Sequence, residues 1–311
     1  MKTSLTTFEC RARDWLLDLL YSQWRALGAP FSTSQPLRPD EAIDPEALLW
    51  CSLEFFPSEP RLCEQVIRWL ANNGQSLLRP RVRKFAQAQQ AQQDARAAIW
   101  HVLDPQWSAD AGEPANPCYG QESVGGLLGF CRELAGKAKP QGPLRQQPGT
   151  PQRTPATVIL RARDALGTDA RHFLLVYLLA NPGGAKLRSV AVWSGQSYRN
   201  ISKVASRWEA AGIISIEHGY SRLSNPAPWA AILELGSARI VLLNWRRLYD
   251  ASVRLLRALG KARAKSIPAD GPVVSALVRE AAAEAEASVE GDTSTRSETV
   301  QDLKNLLASG S

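Results

Sequence analysis

An eight-residue apolar run, Phe173 to Ala180, ends on Asn181-Pro182-Gly183-Gly184, and this stop limits what the next forty residues can become. Proline lacks the amide hydrogen that a helix interior needs, and glycine adopts the backbone angles that close one. A first helix over Phe173, Leu174, Val176, Tyr177, Leu178 and Leu179 therefore terminates there. A second, short helix is predicted over about Leu187 to Trp193, burying Leu187, Val190 and Ala191, before the tight turn Ser194-Gly195-Gln196. A third is predicted from about Ser197 to Ala211, with Gly212 after it.

The two sides of that third helix differ in chemistry. At about 100° per residue, Ile201, Val204, Ala205 and Trp208 fall together, and Gln196, Arg199, Asn200, Lys203 and Arg207 fall opposite. The apolar side must be core. Beyond it, Ile213 to Glu217 reads as a β-branched strand, His218-Gly219 as a turn, and Tyr220 to Leu223 as an antiparallel return, which makes a two-stranded wing. Helix, short helix, turn, basic helix and hairpin is the order of a winged helix-turn-helix.

Arginine pairs with guanine edges in the major groove, asparagine and glutamine pair with adenine, and cations pair with phosphates. The expected DNA-contacting residues are thus Gln196, Ser197, Tyr198, Arg199, Asn200, Lys203, Arg207 and, from the wing, Arg222, with Tyr220 beside it. Tyr198 sits at the edge of the apolar side, where packing and contact are both open to it. His172 and His218 read as structural or solvated residues rather than ligands.

Charge follows the same division. The net charge of +7 breaks into zero over residues 1 to 149, +12 over 150 to 265 and −5 over 266 to 311. The whole basic excess lies in one block, as nucleic-acid binding requires.

Elsewhere, Trp15, Leu16, Leu19, Leu20, Trp24 and Leu27 recur at helical spacing over residues 8 to 28, and Gly28 ends the pattern. Helices are predicted over Pro45 to Phe56, Pro60 to Asn73 and Arg81 to Leu103, with a short apolar segment at Val124 to Leu134. Prolines at 140, 143, 148, 151 and 155 make a linker that cannot hold a helix. Late helical stretches are predicted at Val273 to Ser288 and Glu298 to Leu307 in an acidic tail. The expected fold is mainly α with a small β wing. Its parts are a helical N-terminal domain (1 to 136), the linker (137 to 156), a winged helix with a C-terminal helix (157 to 262) and an acidic, partly disordered tail (263 to 311).

The stretch from Ile159 to Leu256 resembles bacterial winged-helix proteins often encoded beside predicted nucleotidyltransferases, in AbiE-like toxin-antitoxin or defence settings. The resemblance rests on Leu160-Arg161-Ala162-Arg163 before Gly167, Leu178-Leu179-Ala180-Asn181-Pro182-Gly183-Gly184 and Ser194-Gly195-Gln196-Ser197-Tyr198-Arg199-Asn200. It continues through Trp229-Ala230-Ala231-Ile232-Leu233 and Asn244-Trp245-Arg246-Arg247-Leu248-Tyr249. Glu59-Pro60-Arg61-Leu62 and Trp69-Leu70-Ala71-Asn72-Asn73-Gly74 extend it into the N-terminal half. It implies a transcriptional regulator, a repressor or autoregulator, or alternatively an antitoxin that neutralises a partner enzyme such as a nucleotidyltransferase toxin.

Nothing in the sequence calls for catalysis. There is no GxxxxGK[ST] phosphate loop, HExxH or GxSxG, and the three histidines are dispersed. Gly125-Gly126-Leu127-Leu128-Gly129 has no predicted strand before it and reads as a turn. Cys10, Cys51, Cys63, Cys118 and Cys131 show no CxxC pair, so neither a disulfide framework nor zinc is expected. No cofactor, metal or membrane span is expected, and the opening residues lack a signal-peptide pattern, which places the protein in the cytoplasm at the nucleoid. A homodimer is expected, since one winged helix contacts few base pairs. The surfaces proposed for pairing are the first helix, with Trp15 and Trp24, and the segment Trp245 to Leu259, with Leu248, Val253, Leu255, Leu256 and Leu259.

Overall fold

The stop at 181–184 ends a helix as the sequence predicts, and the same rule of apolar spacing and turn chemistry sets most other boundaries. The computed structural model describes residues 4–31, 38–56, 58–78, 80–82, 149, 151–269, 271–290 and 297–310. The chain is mainly helical with a small two-stranded sheet and a second, short sheet. It divides into two compact units, Met1–Leu19 with Pro36–Asp44 and Arg153–Ser311, and Leu20–Gln35 with Pro45–Gln152. Residues 1–19 and 36–44 thus group with the C-terminal half, a division different from the expected break at 137–156.

In the smaller unit, the end of α1 (Leu5–Ala26) is followed by α2 (Pro45–Ser52) and α3 (Pro60–Asn73). Trp24 and Trp69 are fully buried, with ring centroids 5.1 Å apart, edge to face. Each indole N–H has an acceptor, Ser52 Oγ at 2.8 Å for Trp24 and the Leu27 carbonyl at 2.7 Å for Trp69. The wholly buried Glu46 accepts from Arg81 at 2.9 Å and from the Leu78 amide at 2.8 Å, so this buried charge is paired. Gly28 has φ +94°, and a Cβ there would meet the Gly149 carbonyl oxygen at 2.3 Å, which only glycine avoids. α2 ends at Ser52 rather than at Phe56, since 53–56 is a turn that buries Leu53, Phe55 and Phe56 ahead of Pro57. The predicted segment Val124 to Leu134 and all of Arg81 to Leu103 beyond Val82 lie outside the described residues, as do Cys118 and Cys131.

The larger unit holds α4 (Val158–Leu166), α5 (Ala170–Ala180), α6 (Leu187–Ser194) and α7 (Tyr198–Ala210). The hairpin β2 (Ile214–Glu217) and β3 (Tyr220–Leu223) and a short α8 (Ala227–Ile232) follow. A three-stranded sheet sits beside them, not foreseen from sequence. In it β1 (Glu41–Ala42) runs parallel to β4 (Val241–Leu243), which is antiparallel to β5 (Val289–Glu290). Ala156 of the expected linker is tied to this region, its N–H donating to the Pro39 carbonyl and its carbonyl accepting from the Ile43 N–H.

Both late helical stretches predicted in the tail are present. α9 (Trp245–Ala264) and α10 (Pro272–Glu286) pack together, and α11 (Glu298–Gly310) completes the set. The reason is an apolar stripe that outweighs the acidic composition: Val274, Val278, Ala281 and Ala285 recur at helical spacing and are buried. Glu41 holds the start of α11, accepting from Ser297 Oγ at 2.7 Å, from the Thr299 N–H at 3.0 Å and from the Thr299 hydroxyl. Residues 291–296 lie outside the described set. Leu248, Val253, Leu255 and Leu259, offered as a pairing surface, are buried within the chain itself, as is Trp24, whereas Trp15 is half-buried.

Candidate nucleic-acid interface

Two tryptophans fix the helices that carry the basic face. Trp193 of α6 packs edge to face on Phe173 of α5 at 5.7 Å and lies 5.4 Å from Tyr177, while its N–H donates to the Leu243 carbonyl at 3.2 Å. Trp208 of α7 is buried and stacks on Trp229 of α8 at 6.1 Å. Between α6 and α7, Gly195 takes a left-handed conformation at φ +68° and turns the chain. Ser194 Oγ accepts from the Gln196 N–H at 3.3 Å, and Ser197 Oγ caps α7 by accepting from the Asn200 N–H at 3.2 Å.

With Ile201, Ala205 and Trp208 buried and Val204 half-buried, the opposite face of α7 is set by the helical period. Arg199, Asn200, Lys203 and Arg207 are exposed on it, Ser197 is exposed at the cap, and Gln196 is half-buried in the turn. Tyr198, the residue left open between packing and contact, is 56% exposed. Arg199, Lys203 and Arg207 follow one another at four-residue intervals, so they form one stripe about 12 Å long. Among the described residues none of these three cations has a carboxylate partner.

The hairpin is closed by His218 and Gly219, both at positive φ (51° and 80°), the conformation that a tight two-residue turn requires. An isolated bridge between Ala185 and Ser221 ties β3 to the segment after α5, with both amides donating at 2.8 Å. Gly184, at φ +96°, lies close under that strand, where a Cβ would be 3.3 Å from the Ser221 carbonyl oxygen. Arg222, the wing residue expected to contact DNA, is exposed but forms an ion pair with Glu217 and donates to Ser215 Oγ at 3.2 Å.

Two further cations stand at the start of α6, and the sequence reading passed over them. Lys186 and Arg188 flank the start of α6, and both are exposed. The Lys186 ammonium lies over the Tyr220 ring, 5.4 Å from its centroid, and no carboxylate pairs with Arg188 among the described residues. The signal was present as two cations around the predicted start of the second helix, the turn whose N–H groups favour anions. His172 is buried and accepts from Arg163 Nε at 3.1 Å, while His218 is exposed in the turn. Cys10, Cys51 and Cys63 are free thiols, and among the described residues no group of three His, Cys, Asp or Glu is placed to hold a metal ion. No described helix is long and apolar enough to cross a membrane. Comparison of the chain with protein-family models, with curated proteins and with solved structures returned no match.

Proposed function

We propose that residues 170 to 223 form a winged helix-turn-helix and that the chain binds double-stranded DNA through α7, as a sequence-specific transcriptional regulator rather than an enzyme. The observation that carries this reading is the stripe Arg199, Lys203 and Arg207, exposed and without carboxylate partners among the described residues, on a helix whose other face is anchored by Trp208. A cationic helix face held rigid in this way meets the first requirement of DNA binding, which is neutralisation of phosphates with release of counterions. Arg199 is assigned to a guanine edge, Asn200 and Gln196 to adenine edges, and Lys203 and Arg207 to the backbone. Ser197 and Tyr198 stand at the entry of α7 to the groove, and Lys186 and Arg188 add phosphate contacts from α6.

The assembly proposed is a homodimer on an inverted repeat, because one module rarely discriminates against about a million competing sites. The role proposed, from the resemblance over Ile159 to Leu256, is a cytoplasmic, nucleoid-associated repressor or autoregulator in a toxin-antitoxin or phage-defence setting. DNA-binding sequencing with the purified full chain, followed by titration of the recovered duplex and a scrambled one, tests the reading. The expected result is a defined motif bound at least tenfold more tightly than the scrambled duplex, and no enrichment over random DNA contradicts it.

A further inference from the structure

In the larger unit α8 (Ala227–Ile232) has six residues, and none of them is buried. So short a helix gains little from its own backbone bonds and depends on its surroundings. Pro226 and Pro228 restrict its first turn, and Asn225 Oδ1 accepts from the Ala227 N–H at 3.2 Å. Trp229 stacks on Trp208 of α7, the centroids 6.1 Å apart and the rings 14° from parallel. Beyond the helix Leu233 is buried, and its carbonyl accepts from Arg161. The helix is thus fixed from beneath, while Pro226, Ala227, Pro228, Ala231 and Ile232 are exposed, Ile232 at 59%. This is a preformed apolar platform.

No charged residue occurs from Leu223 to Leu233, although residues 150 to 265 carry a net charge of +12. Glu234, next along the chain, is paired with Arg153 at 2.7 Å. Two copies of so cationic a block repel where their charged faces approach, so they close most easily through an uncharged surface. DNA gains nothing from a surface without cations, and an acidic protein is drawn to the cations instead. A two-fold contact presents the same patch on both copies and therefore needs a surface that complements itself, which an apolar one does without opposed charges. We infer that residues 224–232 form the surface through which a second copy of this chain docks about a two-fold axis. The inference rests on the homodimer proposed above and names its interface. α8 meets α7 through Trp208, on the face opposite Arg199, Lys203 and Arg207, so a copy docked there leaves the stripe free. Because the platform is already fixed, docking orders few side chains.

Sedimentation velocity of the full chain without DNA, from about 1 to 200 µM, tests it, since a contact smaller than the roughly 20 to 30 residues a side of a standard interface gives a micromolar dimer. Wild type is expected to dimerise within that range. Ile232→Lys puts a cation on the last residue of α8 and Ala227→Glu an anion on the first, the ends where the helix dipole favours each, so neither should disturb the fold. Each should weaken dimerisation by about tenfold or more, because a charge enters an apolar contact without a partner. Val192→Lys, at an apolar residue of α6 that is 64% exposed, should leave dimerisation unchanged. Circular dichroism confirms that each variant is folded. A wild type still monomeric at about 200 µM would overturn the inference together with the homodimer. A wild-type dimer that both α8 variants leave intact, or that Val192→Lys weakens equally, would overturn this interface alone. No DNA is present, so every one of these outcomes is distinct from failure of the DNA-binding reading.

Discussion

Arg222 and Glu217 face each other across the hairpin as an ion pair, and Ser215 Oγ takes a further guanidinium bond at 3.2 Å. A cation already held by a carboxylate offers a phosphate little, since the pair must open or the carboxylate must tolerate the approaching anion. On the DNA-binding reading proposed above, this charge balance would hold the hairpin back from DNA. Glu217→Gln should release Arg222, raise affinity for random duplex and steepen the slope of log K against log salt by about 1. Titration of both proteins over a salt series reads this, and an unchanged slope would count against any wing contact.

Arg199→Ala and Lys203→Ala should weaken DNA binding while leaving the fold intact, because both side chains are exposed and lack carboxylate partners among the described residues. Loss of a bidentate arginine contact to guanine costs about 1 to 3 kcal/mol and relaxes the sequence preference at that base. Lys203→Ala should lower affinity evenly for cognate and scrambled duplex. Competition assays with both duplexes separate the two outcomes, and wild-type behaviour in both variants would remove α7 from the interface.

Glu41 anchors the C-terminal helix, so Glu41→Ala should destabilise the protein by about 2 to 4 kcal/mol, the range for orphaning a buried hydrogen-bonded cluster. Deletion of 297–311 should also destabilise, because Leu303 and Leu307 are buried and their partners would be left exposed. Urea unfolding followed by circular dichroism measures both, and wild-type midpoints would show that α11 contributes nothing to stability.

Glu284 of α10 is held below the ordinary glutamate pKa, chiefly by the hydrogen bond from Arg247 of α9, with the charges of Arg247 and Arg254 adding to it. A folded-state pKa lower than the unfolded one stabilises above the unfolded value, about 4.3, and that stabilisation is lost as pH falls through the folded value. Wild type should therefore lose more stability than Glu284→Gln between about pH 6 and pH 3, with the difference between them constant above that window. The effect is small, since the pair is solvent-accessible and screened. Parallel pH profiles across the acid range would contradict it.

Much of this was legible in the sequence because it is written locally. The stop at 181–184, the glycine turn at Gly195 and the two-sided helix after it fixed three helices and a hairpin to within a few residues, since each signal lies inside the element it bounds. The three-stranded sheet was not legible. Its strands are two or three residues long, too short for any period, and they are brought together from around residues 41, 241 and 289. The late helices were legible from their own spacing, Val274, Val278, Ala281 and Ala285 recurring on one buried face, whereas the packing of α10 on α9 and α11 was not, because it joins segments distant in sequence. The pairing of Arg222 with Glu217 became visible only once the hairpin register set Arg222 opposite Ser215 and Tyr220 opposite Glu217.

The most direct test of the central claim is the salt dependence of binding between the full chain and its recovered duplex, followed by fluorescence anisotropy. If each protomer neutralises about four to six phosphates, log K should fall against log salt with a slope of about −4 to −5 per protomer, and Arg199→Ala should lose affinity at every salt concentration. A slope near zero, with Arg199→Ala indistinguishable from wild type, would contradict the assignment of α7 as a DNA-binding helix.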